Sequence, residues 1–231
     1  MPHLQNTLFK LLPLHDRAIV ADRLKPFAAD SGTLLQETDE AVEFVYFPNT
    51  GMVSLLIVMA DGFAVESATV GNEGAFNASS ALADRIAGSR AVVQMPLTAT
   101  RVSVSDFLVL HNDNQSFRQL IARSNEMLLN QFQQTAACNA LHLVEARCAR
   151  WLLQSLDKVK TGSLPLTQEF LANMLAVRRS TVNEAAKQLQ SEGLIDYRRG
   201  NIEVIDRAGL EARACECYRA LVIRRKRLLE S

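Results

Sequence analysis

The most constraining feature of this 231-residue sequence is the tract 164–205, in which two short helical patterns and a hairpin pattern follow one another almost without a spacer. Thr167 stands where a hydroxyl can cap the first helix. Gly193 stands where a helix can end in the left-handed conformation. Between the two helices Ala176 is small enough for a tight turn. The tract therefore predicts a helix-turn-helix over 168–191, followed directly by a β-hairpin wing.

The polar side chains of this tract are of the types that bind DNA. In a helix-turn-helix the N-terminal residues of the second helix meet base edges in the major groove. Arginine can donate two hydrogen bonds to guanine, and glutamate can accept one from cytosine. Helix starts and basic hairpin tips suit phosphates. The predicted base contacts are Arg178, Arg179, Ser180, Asn183 and Glu184. The predicted DNA-backbone contacts are Thr167, Gln168, Thr181, Lys187, Arg198 and Arg199.

The distribution of charge agrees with a nucleic-acid-binding C-terminal half. The chain carries 25 basic and 25 acidic residues, which gives a net charge of zero. Residues 1–144 hold 9 basic and 14 acidic side chains and are net −5, so that residues 145–231, with 16 and 11, are net +5. Such an asymmetry is typical of a sensing domain fused to a DNA-binding domain.

Between residues 32 and 104 the sequence has a pattern of short strands and turns that predicts a small β-barrel or sandwich. Apolar, β-rich runs occupy 43–47, 52–59, 64–70, 90–95 and 98–104. Predicted turns separate them at Pro48–Gly51, Asp61–Gly62, Gly71–Gly74 and Pro96. Asp61–Gly62 predicts a two-residue type I′ hairpin. Short helices are predicted over 8–28, and a short helix or a loop is predicted over 75–89.

Helical periodicity replaces the β pattern over 105–158. One stripe of this region follows alternating steps of four and three, which is the spacing of a two-stranded coiled-coil seam. The predicted dimer seam consists of Phe117, Ile121, Ser124, Leu128, Gln131 and Thr135. A helix that simply packs on the barrel is the alternative. A second helix is predicted over about 140–158.

The cysteine and histidine patterns argue against a metal site and against an enzyme. Of the four cysteines, Cys215 and Cys217 form only a CxC with no His nearby in the sequence, so we expect reduced thiols and no bound metal. Metal-using cupin-like barrels need two or three His on strands. The β region 32–104 contains none. A cupin-like small-molecule-binding protein remains the alternative class.

Five tracts of the chain resemble the Crp/Fnr family of bacterial transcription regulators. They are QTAACNALHLVEARCARWLL (134–153), LPLTQEFLANMLAVRRSTV (164–182), DRAGLEARACECY (206–218), FVYFPNTGMVSLL (44–56) and VGNEGAF (70–76). The resemblance implies an α+β chain in three parts. These parts are a cyclic-nucleotide-binding-like double-stranded β-helix (β-roll) over 1–110, a dimerisation helix over 111–138 and a winged helix-turn-helix over 139–231.

The resemblance also implies partners and a place of action. A homodimer would bind an inverted repeat in double-stranded DNA, with RNA polymerase as a possible partner and the cytoplasm as its location. No apolar run approaches the roughly 18–20 residues that cross a bilayer, so no membrane partner is expected. By the resemblance Arg179, Ser180 and Glu184 hold the three base-reading positions. The family often has Glu and then Arg at the last two, so the operator is expected to differ.

The candidate effector pocket contains Glu73, Ser89 and Arg90. Family members that bind cyclic AMP have an acidic residue in a Gly-rich turn and then an Arg-Ser pair. Here the order of the pair is reversed, and a one-residue shift along a strand turns the guanidinium to the opposite face. We therefore expect no cofactor, cyclic nucleotides included. A ligand-free β-roll that serves only as a scaffold is the alternative to a sensor.

Overall fold

The computed structural model describes residues 4–159 and 162–230. Its N-terminal half contains, after a 3-10 helix at Thr7–Leu11, the elements α1 (Leu14–Ala21), β1 (Lys25–Ala29), β2 (Leu34–Gln36), β3 (Phe44–Val58), β4 (Ala64–Val70), α2 (Ala78–Leu82), β5 (Arg90–Ser103) and α3 (Val104–Asp113). The remainder contains α4 (Gln115–Leu141), α5 (Val144–Val159), β6 (Ser163–Pro165), α6 (Gln168–Leu175), α7 (Arg179–Ser191), β7 (Ile195–Arg198), β8 (Asn201–Val204), α8 (Arg207–Arg213) and α9 (Cys217–Glu230). The predicted α+β architecture is confirmed.

The N-terminal sheet is built around the long antiparallel pair β3 and β5. Its strand order is β1-β5-β3-β4, and β2 also pairs with β5. The predicted turns at Pro48–Gly51 and at Pro96 are wrong, because both lie inside these strands. The β3–β5 register shifts between Pro48 and Val53. Gly51 has φ 79°, and a Cβ there would collide with the Pro96 carbonyl. Bulges of this kind bend a strand without ending it.

Two other local predictions also differ from the structure. The β3–β4 hairpin exists, but Met59 N donates to Phe63 O across a longer loop, and of the pair Asp61–Gly62 only Gly62 has a positive φ. The predicted type I′ turn is therefore wrong. At the N-terminus the predicted helices end by Ala21, and residues 25–29 form β1, which pairs with residues 97–101 of β5.

A shared hydrophobic core joins the sheet to the C-terminal helices. Met52 and Met95 of the sheet belong to the same buried cluster as Trp151 of α5 and Leu171 of α6. At the other end of the sheet, Phe107 and Phe117 make an edge-to-face ring contact. None of the helices within the described ranges is long and apolar enough to span a membrane.

The long helix α4 packs along the sheet with much of its predicted dimer seam. Phe117 and Ile121 are buried in the core of the same chain. Ser124 is also buried, and its Oγ accepts a hydrogen bond from the Ala75 amide at 2.9 Å. The seam prediction is therefore wrong for these three residues, because their side chains are enclosed within one chain. Leu128, Gln131 and Thr135 are partly exposed.

Candidate nucleic-acid interface

The start and end of α6 set the geometry of the helix-turn-helix. Thr167 Oγ1 accepts a hydrogen bond from the Phe170 amide at 3.1 Å, which is the predicted cap. Ala176 ends the helix in the left-handed conformation, with φ 53° and ψ 47°. Arg178 is the N-cap of α7, and Gly193 follows the end of α7 with φ 72°. The chain thus turns between α6 and α7 within three residues.

Helix α7 has one buried face and one free face. Val182, Ala185 and Leu189 are buried in the domain core. The exposed side chains at its start and along its outer face are Arg178, Arg179, Ser180, Glu184 and Lys187, with Thr181 and Asn183 partly exposed. The buried apolar residues fix the rotation of α7 about its own axis. The polar face therefore points to solvent in one defined direction.

The outer face of α7 adjoins the start of α6 and the hairpin. Gln168 Nε2 donates to Asn183 Oδ1 at 3.1 Å, so the start of α6 is tied to α7. Gln168, Asn183, Lys187 and Tyr197 line one surface cleft. The Tyr197 hydroxyl donates to the Leu166 carbonyl at 3.0 Å, and burial raises the pKa of this tyrosine. The structure therefore brings the predicted contacts of both helices onto one surface.

The hairpin after α7 has the predicted form of a wing. Strands β7 and β8 pair, and β6 pairs with β8 on the other side. Arg199 and Gly200 form the two-residue loop with φ 49° and 75°, as a type I′ turn requires. The Arg198 side chain is 80% exposed and contacts Asp196 at 2.9 Å. An exposed ion pair of this kind contributes little, so a phosphate can replace Asp196 as the partner of Arg198.

The three candidate effector residues do not surround one cavity. Glu73 faces the Lys158 ammonium at 3.1 Å and lines a cavity of about 60 Å³. Burial alone would raise the pKa of Glu73, but Lys158 and Arg225 outweigh it and lower the pKa. Ser89 lines a separate cavity of about 470 Å³. Arg90 instead forms an ion pair with Glu37 at 2.8 Å.

The structure assembles one polar group that the sequence analysis missed. Cys138, His142, Cys215 and Cys217 place their ligand atoms within 4.8 Å of one another. No His lies near Cys217 in the sequence, but the fold brings His142 beside it. The Cys217 Sγ and the His142 Nδ1 are 3.5 Å apart. The i, i+4 spacing of Cys138 and His142 on a predicted helix was the one available signal.

The fold and the helix-turn-helix define a class of protein by its architecture, an N-terminal β-domain followed by a long helix and a winged helix-turn-helix domain. Residues 146–213 match the Crp-like helix-turn-helix domain family. The HTH-type transcriptional regulator Cmr of Mycobacterium tuberculosis is 27% identical over 133 residues, which are 53% of each chain. The matched part of the chain thus spans about half the length of this curated relative.

Solved structures of Crp/Fnr regulators have the same fold. A Crp/Fnr-family regulator from Eubacterium rectale matches with a TM-score of 0.70 and 16% identity, over 89% of this chain and 96% of its own. FixK2 from Bradyrhizobium japonicum matches with a TM-score of 0.66 and 19% identity, over 83% and 98%. A Crp-family regulator from Thermus thermophilus matches with a TM-score of 0.70 and 20% identity, over 82% and 96%. Residues 146–213 therefore form a Crp-like helix-turn-helix domain, and the chain as a whole has the fold of these solved structures.

Proposed function

We propose that the chain acts as a homodimer that binds an inverted-repeat operator in double-stranded DNA. The observation that carries the proposal is the exposed, basic start of α7, where Arg178, Arg179 and Ser180 project beside a buried apolar face. The N-terminal end of such a helix enters the major groove in helix-turn-helix proteins. The two α7 helices of the dimer would then lie about 34 Å apart, one turn of the double helix. The proposal involves no catalytic step.

Within this proposal the exposed side chains divide into two roles. Arg178, Arg179, Ser180, Asn183 and Glu184 read base edges, because they occupy the start and the outer face of α7. The residues that hold the DNA backbone are Thr167, Gln168, Thr181, Lys187, Arg198 and Arg199. The backbone contacts supply affinity independent of sequence, which weakens as salt rises.

The outer side of α4 is the proposed dimer contact. Leu129 is 49% exposed, and it lines a surface cleft together with Ala122, Asn125 and Phe132. The opposite side of the helix is occupied by the sheet of the same chain. A second copy of α4, which presents the same stripe, can cover these side chains about a two-fold axis.

The proposed domains are residues 1–110, 111–138 and 139–231.

The β-domain is proposed to work without a cyclic nucleotide. The cavity beside Ser89, of about 470 Å³, lies within the roughly 300–1,000 Å³ of small-molecule sites, but no basic side chain that could hold a phosphate is among the described residues that line it. The cavity beside Glu73 holds only about 60 Å³. Lys158 already neutralises Glu73 there, and Arg90 is paired with Glu37. A structural neighbour from Xanthomonas campestris is described as responsive to c-di-GMP. In this chain the β-domain is proposed as a scaffold in the cytoplasm, from which the bound dimer can contact RNA polymerase.

Selection of bound sequences from a random DNA pool, followed by titration of the selected operator and of scrambled DNA, tests the proposal. Arg179→Ala should lower the ratio of operator to scrambled affinity about tenfold or more, because one good bidentate base contact gives about 1–3 kcal/mol of discrimination. Arg198→Ala should instead weaken both affinities alike and make the salt dependence shallower. Cyclic AMP added to the same titrations should leave the affinities unchanged.

Lys226→Ala is the matched control, because it removes one exposed positive charge on α9, away from the proposed interface. It should change neither affinity beyond its weak effect on net charge. A pool that yields no enriched sequence would refute operator binding. An unchanged affinity ratio for Arg179→Ala would show that the assigned orientation of α7 is wrong.

A further inference from the structure

Three cysteines and a histidine meet where the long helix α4 ends. Cys138 and His142 come from the last turn of α4 and its C-cap. Cys215 comes from the connection between α8 and α9, and Cys217 is the first residue of α9. The Sγ atoms of Cys138 and Cys215 are 3.4 Å apart, and the Cys217 Sγ lies 3.5 Å from the His142 Nδ1. The four ligand atoms all lie within 4.8 Å of one another.

We infer that Cys138, His142, Cys215 and Cys217 bind one Zn²⁺ ion as a tetrahedral Cys₃His site. Zinc takes thiolate ligands at about 2.3 Å and imidazole at about 2.0–2.1 Å. Tetrahedral bonds of these lengths place neighbouring ligand atoms roughly 3.5–3.8 Å apart. The spread of these four atoms therefore suits a single central ion, and closing it around zinc requires only small movements.

Burial of the group favours a closed, structural site. The Cys138 and Cys217 side chains are almost fully buried, and Cys215 is 8% exposed. The His142 side chain is 22% exposed and forms the solvent edge of the group, through which an ion can enter. With four protein ligands, zinc keeps no open position for water or substrate.

Neighbouring side chains orient the ligands as zinc sites require. The His142 Nε2 lies 3.1 Å from a Glu216 carboxylate oxygen, so that Nδ1 is left to face the cysteines. A carboxylate that receives the second ring N–H is a recurring support for a metal-bound histidine. On the other side Gln134 Nε2 donates to the Cys217 Sγ at 3.0 Å, and Arg224 in turn donates to Gln134 Oε1 at 3.0 Å.

The charge balance of the site is also favourable. Binding of Zn²⁺ by three thiols and a neutral imidazole releases three protons and leaves a net charge of −1. Arg147 and Arg150 are both buried on the adjacent α5, and each interacts electrostatically with Cys138. These two guanidinium groups can compensate the residual negative charge, which would otherwise be costly to bury.

A disulfide accounts for fewer of these contacts than a metal ion does. The 3.4 Å between Cys138 and Cys215 is far longer than the roughly 2.05 Å of an S–S bond. Any single disulfide would leave one cysteine and His142 without a role. A metal ion uses all four groups, and a disulfide becomes an outcome of the test.

The position of the site gives it a role in regulation, and this step rests on the proposed DNA-binding function. α4 ends at Leu141 and α5 begins at Val144, so the ligands lie at the joint between the proposed dimer helix and the DNA-binding domain. A bound ion would tie the α8–α9 connection to the end of α4. It would therefore fix the orientation of the DNA-binding domain relative to the long helix α4. Loss of the ion would let that orientation vary.

Titration of the full chain, stripped of metal and fully reduced, with Co²⁺ and then Zn²⁺ tests the site. Cobalt should bind one per chain with the thiolate charge-transfer and intense visible bands of tetrahedral coordination, and zinc should displace it. Cys215→Ser and Cys217→Ser should abolish these bands or reduce cobalt affinity at least tenfold. His142→Cys, which offers a fourth thiolate, should retain one cobalt per chain with stronger charge-transfer bands.

Cys148→Ala is the matched control, because Cys148 is a buried cysteine of α5 in the hydrophobic core, outside the cluster. It should bind cobalt as the unmodified chain does. Circular dichroism of each variant would show that the fold is kept. Absence of the tetrahedral spectrum, or a spectrum unaffected by Cys215→Ser and Cys217→Ser, would overturn the site. A disulfide between the cluster cysteines that persists in reductant and excludes cobalt would also overturn it.

The regulatory step has a separate readout. Removal of the metal should lower affinity for the selected operator at least threefold, and added Zn²⁺ should restore it in the unmodified chain but not in Cys217→Ser. One cobalt per chain with no change in operator affinity would refute the regulatory step and leave the metal site standing. Failure to bind any DNA in either state would count against the proposed function alone.

Discussion

Glu66 is a carboxyl group buried at the contact between the β-domain and the DNA-binding domain. Its two oxygens accept hydrogen bonds at 2.6 Å from the Ser54 hydroxyl and from the Trp151 indole N–H of α5. Burial raises the pKa of Glu66 to about 7, although the bonds from Ser54 and Trp151 act in the opposite direction. Near neutral pH this residue therefore exchanges a proton inside the core.

The raised pKa of Glu66 predicts a pH-dependent loss of stability. In the unfolded chain Glu66 loses its proton near its ordinary pKa of 4.5, whereas the folded chain keeps it until about pH 7. Between these values the folded state binds more protons, so the free energy of unfolding falls as pH rises and levels off above the window. Glu66→Gln should remove this contribution. Relative to the unmodified chain, the variant should gain up to about 3 kcal/mol between pH 5 and pH 8.

Urea unfolding across this pH range measures the effect. The control is Glu43→Gln, which makes the same replacement at an exposed carboxyl on the surface. Parallel pH curves for Glu66→Gln and the unmodified chain would show that Glu66 does not titrate within the window.

Single residues were predictable from the sequence when their partners are close in the chain. The Thr167 cap bonds an amide three residues away, and Gly193 ends the helix that directly precedes it. The Glu66–Trp151 bond instead joins residues 85 positions apart, and the Cys138–Cys215 contact joins residues 77 apart. Such pairs follow from the packing of whole elements, which no local pattern contains.

The turn between α6 and α7 contains a strained residue. Ala176 adopts φ 53° and ψ 47°, a conformation that costs a non-glycine residue roughly 1–2 kcal/mol. Its side chain is exposed, so little packing compensates for this cost. Glycine has no such penalty, and it is the residue most often found at this position past a helix end.

Ala176→Gly should therefore stabilise the chain. We expect a gain of about 0.5–1 kcal/mol in the free energy of unfolding, because the relieved strain exceeds the greater flexibility of glycine in the unfolded state. Denaturant unfolding measures it. Ala208→Gly is the matched control: Ala208 is exposed on α8, and glycine there should destabilise by up to about 1 kcal/mol. A loss of stability in Ala176→Gly comparable with that of the control would contradict the strain.

At the level of elements, the helix-turn-helix and wing were predictable because their caps and turns are local. Strands were harder. Pro48–Gly51 and Pro96 have the composition of turns, yet in the structure they bend β3 and β5 at a bulge where the two strands meet. β1 has no alternating pattern in its sequence KPFAA and exists because β5 pairs with it from more than 65 residues away. Pairing over such distances decides which segments become strands.

In the molecule as a whole, α5 locks the DNA-binding domain onto the β-domain. The Lys158 ammonium donates to the Thr69 carbonyl at 2.5 Å and to the Thr69 hydroxyl at 2.6 Å, and it pairs with Glu73 at 3.1 Å. All of these groups are buried or nearly so. Movement of α5 away from the sheet would leave a buried carboxylate unpaired, which costs several kcal/mol. A change in the orientation of the DNA-binding domain relative to the β-domain must therefore bend the chain between α4 and α5 or break the Lys158–Glu73 ion pair.

The proposed dimer depends on the outer side of α4, and Leu129→Asp tests it. A carboxylate at the two-fold axis would face its own copy without a partner, so the variant should be monomeric by sedimentation equilibrium at concentrations where the unmodified chain is dimeric. Because Leu129 is 49% exposed in the single chain, the variant should remain folded. Its affinity for the full inverted repeat should fall at least tenfold, since the second half-site is no longer bound by a linked domain. Its affinity for a single half-site should be unchanged.

The matched control is Leu14→Asp, which places the same charge at an 81% exposed leucine of α1 and should stay dimeric. A dimer that persists in Leu129→Asp would show that the chains associate through another surface.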